Sequence, residues 1–569
     1  MTDDLLNDQE LKRTKYLQLI LDSNAPKKLI VSGPGTGKTY TFKQIFQTSQ
    51  SSNNLALTFI NKLVNDMDTD FGNFAEVKTF HAYCKKLLHE KRGGFELYPF
   101  LTQIVIEDSN FLGYHFSDFT NHFQLLKKDS QQILFYINRG DYYNAVCFDD
   151  SVYRVLKISE TDPDFIPRYD QIIIDEFQDF NPLEVALIDE LEKYNPILIT
   201  GDDDQAIYSL RNSSPNYLRE KYYSNTYEKF ELPFCSRCPK VVVDATKFFI
   251  KTVISNGGFQ GRINRKFVPY LEGNVVTNSR YPKIVTSQIS TIHGVGNFIK
   301  ASIEKIPADE IKEANEEGYP CVLVVGKRQH LNPIYKKLSK HYSRIDYSFS
   351  EECSYSLLDA YKIILRKPNS NIGWRIIASY MLDQDELKSI LLKTIDFTPL
   401  INHLPAKIIE QHRSIIDLLS NDSLNREEFN DLIENIDIDF DPIIEYFFPK
   451  DLEDEAEPDY SEPSIMLTSF EGCKGLSACH VFIVGLNEGN VPKLNEENRI
   501  SDIEVSKFIV AMTRTRKLLY LLSNKYHYNP QSGQNRISPF LRMIPNNLKV
   551  SSGYIKTENI PIFIDRIFN

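Results

Sequence analysis

Val31-Ser-Gly-Pro-Gly-Thr-Gly-Lys-Thr39 and, far downstream, Ile172-Ile-Ile-Asp-Glu-Phe-Gln-Asp179 decide how this chain is read. The first is a glycine-rich turn between a short apolar strand, Lys28 to Val31, and a segment of helical character. Gly33, Gly35, Thr36 and Gly37 offer backbone N–H groups that cradle phosphates, Lys38 reaches the terminal pair, and Thr39 offers a hydroxyl to Mg²⁺. The second stretch is an apolar strand ending in adjacent carboxylates, with Asp175 suited to hold magnesium and Glu176 to orient or deprotonate water. In this order the two stretches make nucleotide hydrolysis the expected chemistry.

Outward from them, short apolar strands alternate with helical segments: Leu29–Val31, Leu55–Phe59, Ile172–Ile174 and Ile197–Thr200. That alternation predicts an α/β fold with a parallel sheet flanked by helices. Between Leu87 and Pro167 the pattern turns helical and rich in Phe, Tyr and Lys, as an insertion between strands would be. A second α/β region opens near Val322-Leu-Val-Val, breaks off around Asn371 and resumes at Ile465-Met-Leu and Val481-Phe-Ile-Val. A chain of 569 residues is too long for one compact core. The expected division is a first core at 1–86 and 166–262 interrupted by a helical insertion at 87–165. A second core at 263–375 and 461–545 is interrupted by a short acidic helical insertion at 376–460, and 546–569 is a tail.

Hydrophobic content of 42% and charged content of 25% are ordinary for a folded protein. There is no secretory signal and no apolar run long enough to cross a bilayer, so no membrane partner is expected. Eight scattered cysteines make no disulfide scaffold and fit a reducing, cytoplasmic setting, and Cys235-x-x-Cys238 without a second pair reads as buried thiols, not zinc. The net charge of −12 argues against a coat protein for nucleic acid but not against a motor whose footprint is a cleft. Much of the acid lies between Glu427 and Glu462, which reads as solvated charge.

The order of further blocks resembles superfamily 1 helicases of the UvrD/Rep/PcrA type, from about residue 6 to 522. Ser32–Thr39 looks like the first motif of that family and Asp175-Glu-Phe-Gln-Asp179 like the second. Leu57 to Met67 and Thr79-Phe-His-Ala82 resemble the blocks that grip the strand backbone. Gly201 to Arg211 is similar to the third motif, where Gln205 couples ATP to DNA. Leu232 to Cys238 falls at the fourth, placing Arg237 on the γ-phosphate. Lys474-Gly-Leu476 with Val481 to Gly489 resembles the fifth, and Val510-Ala-Met-Thr-Arg-Thr-Arg516 the sixth, placing Arg514 on the γ-phosphate from across the cleft.

The resemblance implies two tandem RecA-like P-loop cores, ATP and Mg²⁺ as cofactors, and translocation 3′ to 5′ on single-stranded DNA. It implies catalytic roles for Glu176, Gln205, Arg237 and Arg514, and an adenine contact for Gln9. Phe59, Asn61, Lys62, Thr79, His81, Tyr208 and Lys474 become the expected nucleic-acid contacts. Several positions depart from the pattern. Ser236 stands where an aromatic usually stacks on adenine, Ser477 where an acid usually meets the ribose, Glu471 where histidine is usual, and Leu210 where an aromatic stacks on a base. Phosphate chemistry is thus intact while base and strand contacts are altered. Two functions follow as expectations. One is a 3′-to-5′ helicase acting on single-stranded and tailed duplex DNA. The other is a DNA-stimulated ATPase subunit that licenses a co-encoded effector, as in a mobile element or antiviral defence system. RNA remains an alternative strand.

Overall fold

The computed structural model describes residues 2–49, 53–58, 69, 72–348, 354–421, 426–434, 436, 438–449, 461–529, 531 and 533–568. Two wholly parallel sheets carry the chain. The first holds β1 (Lys27–Ser32), β2 (Asn54–Thr58), β3 (Glu76–Thr79), β4 (Gln171–Ile174), β5 (Ile197–Gly201) and β6 (Glu228–Leu232). Their order across the sheet is β3-β2-β4-β5-β1-β6. Ile172, Ile173, Ile174, Ile197, Leu198 and Ile199 are fully or almost fully buried, because a parallel strand covered on both faces needs apolar side chains in both directions. This order sets the glycine-rich turn after β1 and the carboxylates after β4 on either side of β5. Ligands of such sheets bind at the carboxyl ends of the strands, where those three loops meet.

The second sheet contains β7 (Ile284–Ile289), β8 (Val322–Val325), β9 (Ile345–Ser348), β10 (Ile465–Thr468), β11 (Ala478–Ile483), β12 (Thr515–Asn524) and β13 (Lys549–Ile555). They lie in the order β9-β10-β8-β11-β12-β7-β13. The fold is therefore α/β with two tandem RecA-like cores, each interrupted by helices. The expected tail at 546–569 is instead part of the second core. Its strand β13 pairs with β7, and helix Ile560–Phe568 buries Ile560, Phe563 and Ile564 against the sheet.

Helices Leu101–Phe111, Phe119–Gln124, Gln131–Tyr143 and Phe148–Thr161 sit between β3 and β4. Between β9 and β10 the helical segment starts at Leu357, earlier than the expected 376, and helix Asn371–Met381 runs straight across that position. Its apolar residues Ile372, Trp374, Ile376 and Ile377 look like core strand material in sequence but join one apolar cluster with the first insertion. Position 86 is likewise interior to helix Phe80–Arg92. Helix Lys240–Ser255, expected with the first core, packs its apolar face on the second. There Phe249 meets Phe508 and Phe540 at ring-centroid distances of 5.1 Å each. No helix among the described residues is long and apolar enough to cross a membrane.

The two insertions also share a buried charge cluster. Asp108 is wholly buried and accepts hydrogen bonds from Arg139 Nε at 2.9 Å, Arg139 Nη2 at 2.5 Å, Tyr143 Oη at 2.5 Å and Arg375 Nε at 2.9 Å. Burial alone would raise its pKa, but Arg139 and Arg375 outweigh it and hold the carboxyl below its ordinary value.

Candidate nucleotide site and nucleic-acid face

The glycine-rich turn runs directly into helix Lys38–Thr48, whose first residues are Lys38 and Thr39. A helix start preceded by glycines presents free N–H groups and the positive end of the dipole to an anion. Gly35 has φ +67°, and a Cβ placed on it would lie 2.5 Å from Arg237 Cβ. Only glycine therefore lets the Arg237 loop close on the turn, where Ser236 N–H donates to Gly35 O at 2.9 Å. A cleft of about 440 Å³ is lined on one side by Gly35 to Thr39, Ser236 and Arg237, and on the other by Glu313, Glu317, Arg516 and Lys517 of the second core.

Glu176 leaves β4 in the left-handed region, φ 55°, a conformation that costs roughly 1 kcal/mol for a residue with a Cβ. The turn brings its carboxylate to Lys38 Nζ at 2.5 Å and to Gln178 Nε2 at 2.6 Å. Asp175, beside it, accepts from Thr200 Oγ1 at 2.6 Å and from the Glu176 N–H at 2.9 Å, and lies 3.5 Å from Lys38. Burial would raise Glu176, but Lys38 and Lys474 overcome it and hold the group well below the carboxylate range. Burial also works against charge on Lys38, and Asp175 and Glu176 reverse that, keeping the ammonium protonated. Asp175 moves the other way, raised by burial against the pull of Lys38. The adjacent acids are thus separated into two environments at one strand end.

Gln205 connects this site to the second core. Its Nε2 donates to Asp202 Oδ2 at 2.6 Å, while its Oε1 accepts from Arg514 Nη2 at 2.9 Å. Arg514 is almost fully buried, and its other bonds go to the carbonyls of Val510 and Leu476 and to Thr513 Oγ1. Among the described residues, Arg237 has no carboxylate partner. Burial and the neighbouring Arg514 push its pKa down to about 10. An anion placed beside these two like-charged groups would relieve their repulsion.

Several of the expected nucleic-acid contacts have buried side chains. Lys474 is 6% exposed, pairs with Asp179, donates to Gln205 O at 2.8 Å and lies 3.8 Å from Glu176. It is buried in the seam between the cores, beside Glu176 and Asp179. Tyr208 lies in the same seam, its hydroxyl directed to Glu471 O at 3.4 Å and its ring 5.4 Å from the Lys474 ammonium. His81 has a side chain only 14% exposed, packs edge-on to Phe148 and is driven to a pKa of about 3 by burial and Arg211. A neutral, inward-facing imidazole does not grip phosphate. Thr79 caps helix Phe80–Arg92 by accepting from Ala82 N–H at 3.2 Å. Phe59, Asn61 and Lys62 lie outside the described residues. Gln9 Oε1 accepts from Leu271 N–H at 3.1 Å.

Sequence reasoning missed the partners of the acidic loop after β5. Asp202, Asp203 and Asp204 are the one group of possible metal-ligating side chains clustered tightly among the described residues. They are occupied by arginines: Arg265 contacts all three, Arg262 forks onto Asp204 at 2.7 and 2.8 Å, and Arg219 donates to Asp203 at 2.9 Å. The cluster is a charge-neutralised latch between β5 and the crossover that leads to the second core. Its only sequence signal was an acidic triplet and a later Arg-x-x-Arg, with no local spacing to join them.

Comparison with known proteins agrees with this geometry. A family model described as an AAA domain matches residues 18–211, and one described as the UvrD-like helicase C-terminal domain matches residues 406–526. A probable DNA helicase II homolog of Mycoplasma capricolum subsp. capricolum is 23% identical, over 92% of this chain and 85% of the relative. The ATP-dependent DNA helicase PcrA of Staphylococcus aureus is 24% identical, over 91% of this chain and 84% of its own. A shorter match, 30% identical over 17% of this chain and 8% of the relative, is to the exonuclease/helicase subunit RexA of Lactococcus lactis subsp. cremoris. With the glycine-rich turn, the paired carboxylates and the arginines of both cores meeting in one cleft, the chain belongs to the UvrD/PcrA-like superfamily 1 helicases.

Proposed function

We propose that this protein is an ATP-dependent DNA helicase that moves 3′ to 5′ along single-stranded DNA. The observation that carries the reading is the continuous polar chain Lys38–Glu176–Lys474–Gln205–Arg514, which crosses from the hydrolytic site of one core to the last motif of the other. Lys38 and the N-termini at Gly35 to Thr39 hold the phosphates. Glu176, kept ionised by two lysines, takes a proton from, or orients, the attacking water. Arg237 and Arg514 stabilise charge on the transferred phosphoryl group when the cores close. Thr39 and Asp175 are the oxygen donors that fit Mg²⁺, the buried carboxylate being already matched to a cation, the Lys38 ammonium. When bound, the ion neutralises charge on the β- and γ-phosphates. Gln205 senses the γ-phosphate and, through Asp202 and the arginine latch, passes its loss to the crossover between cores.

A second reading, a DNA-gated ATPase that licenses a partner effector and separates strands weakly, is favoured by one finding: His81, Tyr208 and Lys474 face inward. One experiment decides. ATP hydrolysis is measured with no polynucleotide, with single-stranded DNA and with single-stranded RNA, alongside separation of duplexes tailed at the 3′ or the 5′ end, with Glu176→Gln as control. DNA-stimulated hydrolysis and separation only of the 3′-tailed duplex are expected for the helicase. Stimulation without separation selects the second reading, and preference for RNA reassigns the strand. Absence of Glu176-dependent hydrolysis overturns both.

A further inference from the structure

The wall of the nucleotide cleft that faces the glycine-rich turn carries a cation that no role above uses. Arg516, at the start of β12, is 32% exposed and lines the cleft together with Gly35 to Thr39 and Arg237. Three contacts hold its guanidinium. It stacks on the Tyr319 ring at 4.0 Å, its Nε donates to Ser477 Oγ at 3.2 Å, and its Nη1 donates to Glu317 Oε2 at 3.0 Å. Lys517 beside it pairs with Glu313 at 2.9 Å, and Glu313 also accepts from Tyr319 Oη at 3.0 Å.

The three contacts of Arg516 differ in kind. The stack and the hydroxyl are neutral partners that fix the plane of the guanidinium without consuming its charge. Glu317 consumes the charge, yet it is 52% exposed, and an exposed ion pair of this sort contributes little. A phosphate offers the same guanidinium a charge-assisted, bidentate partner of higher charge density in a less solvated place. Arg516 also stands near enough to Arg237 to add to the repulsion on it, after burial and Arg514. Arg237 from one segment, and Arg514 with Arg516 from another, therefore bring three guanidiniums close together beside the glycine-rich turn. Ser477, where relatives were expected to carry an acid, leaves the guanidinium free of a second carboxylate.

The geometry points to Arg516 as a nucleotide-phosphate ligand of this cleft, with Glu317 as its built-in competitor. The inference rests on the nucleotide reading of the cleft and adds a residue to it. Phosphate binding replaces Glu317 on Arg516, while Tyr319 and Ser477 keep the guanidinium in plane. Glu317 therefore sets the affinity: it lowers nucleotide occupancy by offering Arg516 an alternative partner.

The test is equilibrium binding of a non-hydrolysable ATP analogue with Mg²⁺ to the full chain and to Arg516→Gln, Glu317→Gln, the double variant and Lys38→Ala. Arg516→Gln is expected to weaken binding roughly 10-fold or more, as for loss of a hydrogen bond to a charged group. Glu317→Gln is expected to tighten it about 2- to 5-fold, and in the Arg516→Gln background to change nothing. Opposite signs from the two members of one ion pair are the signature that a purely structural salt bridge does not give. Binding by Arg516→Gln within twofold of the parent overturns the proposal, as does weakening by the exposed substitution Glu317→Gln. Should Arg516→Gln fail to fold, the sign of Glu317→Gln alone decides. Undiminished binding by Lys38→Ala is a different failure, because it removes the nucleotide reading of the cleft itself.

Discussion

The chain is joined across its middle twice, and the two seams are built on opposite principles. Between the cores lie Lys38, Glu176, Lys474, Gln205, Arg237 and Arg514, where like charges face one another and several partners are shared. Between the insertions lies Asp108, with a full set of donors from Arg139, Tyr143 and Arg375 inside a continuous apolar cluster. A seam with unbalanced charge has more than one arrangement of similar energy and responds to an anion. A seam whose buried charges are all satisfied has one arrangement, and opening it exposes ions that water must resolvate along with apolar surface. The contrast predicts that rearrangement is confined to the seam between the cores, with the second insertion staying joined to the first.

The largest expected effect breaks the inter-core seam without unfolding it. Glu176→Gln removes the group placed to act on water, and general-base loss of this kind lowers turnover by about 10²- to 10⁴-fold. The amide keeps the shape and one acceptor oxygen but can accept from only one of Lys38 and Gln178. Lys38 and Lys474 retain Asp175 and Asp179 as counter-ions, so the unfolding midpoint is expected to fall less than in Asp108→Ala, and the variant still to bind nucleotide. Phosphate release, equilibrium binding and a denaturant titration check the three together. A collapse of stability instead would mean that the cleft is as tightly specified as the insertion seam.

The insertion seam should respond the other way. Asp108→Ala leaves Arg139 buried without a counter-charge and Arg375 with only the partly exposed Glu107 at 3.1 Å, a loss that typically costs about 3–5 kcal/mol. Hydrogen exchange is expected to rise sharply in helices Leu101–Phe111, Gln131–Tyr143 and Asn371–Met381 while the sheets of the two cores stay protected. Replacing the triad together, Asp108→Leu with Arg139→Met and Arg375→Met, should recover most of that stability, since burying apolar groups of similar size avoids the desolvation of ions. If the single substitution is silent, the seam is not held by its charges.

How much of this was legible in sequence follows from the range of the interactions. The glycine-rich turn and the acid pair are local patterns, each written within about eight residues, and they stand at the ends of β1 and β4. So are the apolar strands β1, β4, β5, β8 and β11, whose two-sided burial requires runs of Ile, Leu and Val. The boundary of the second insertion was illegible because helix Asn371–Met381 is apolar for the sake of a neighbour more than two hundred residues earlier. The inward placement of Lys474 was hidden for the same reason. A lysine after a strand reads as a surface cation until the fold brings Asp179 and Glu176 to it. The arginine latch on Asp202 to Asp204 depends on pairing across some sixty residues, which no periodicity encodes.

The smallest expected effect sharpens the comparison by asking what burial does to an acid that lacks a full complement of donors. Glu184, at the start of helix Pro182–Leu191, is as deeply buried as Asp108. Its Oε2 accepts the Asn181 N–H at 2.9 Å, but Arg211 stands 3.5 Å away, His81 is neutral at 3.6 Å, and Asp149 and Asp179 add negative charge. Burial therefore wins, and Glu184 is pushed from 4.5 up to about 7, whereas Asp108 is pulled down. The signs on stability are opposite. A depressed acid such as Asp108 stabilises above its unfolded pKa and loses that contribution as pH falls. A raised acid such as Glu184 is bound to its proton in the folded state and has released it in the unfolded state between pH 4.5 and about 7. Stability from this group accordingly declines as pH rises through that window and is level above it. Glu184→Gln keeps the cap geometry and removes the titration. The variant is expected to match the parent near pH 4.5 and to exceed it by up to about 3 kcal/mol at pH 8, read as the difference between two denaturant titrations at each pH. His81, 3.6 Å from Glu184, has a depressed pKa whose pH dependence runs the other way, so it enters the difference only through the change that the substitution makes beside it. A gap that does not widen with pH would show that Asn181 and Arg211 satisfy Glu184 as fully as the two arginines satisfy Asp108, and the distinction between complete and incomplete pairing would then not explain the two seams.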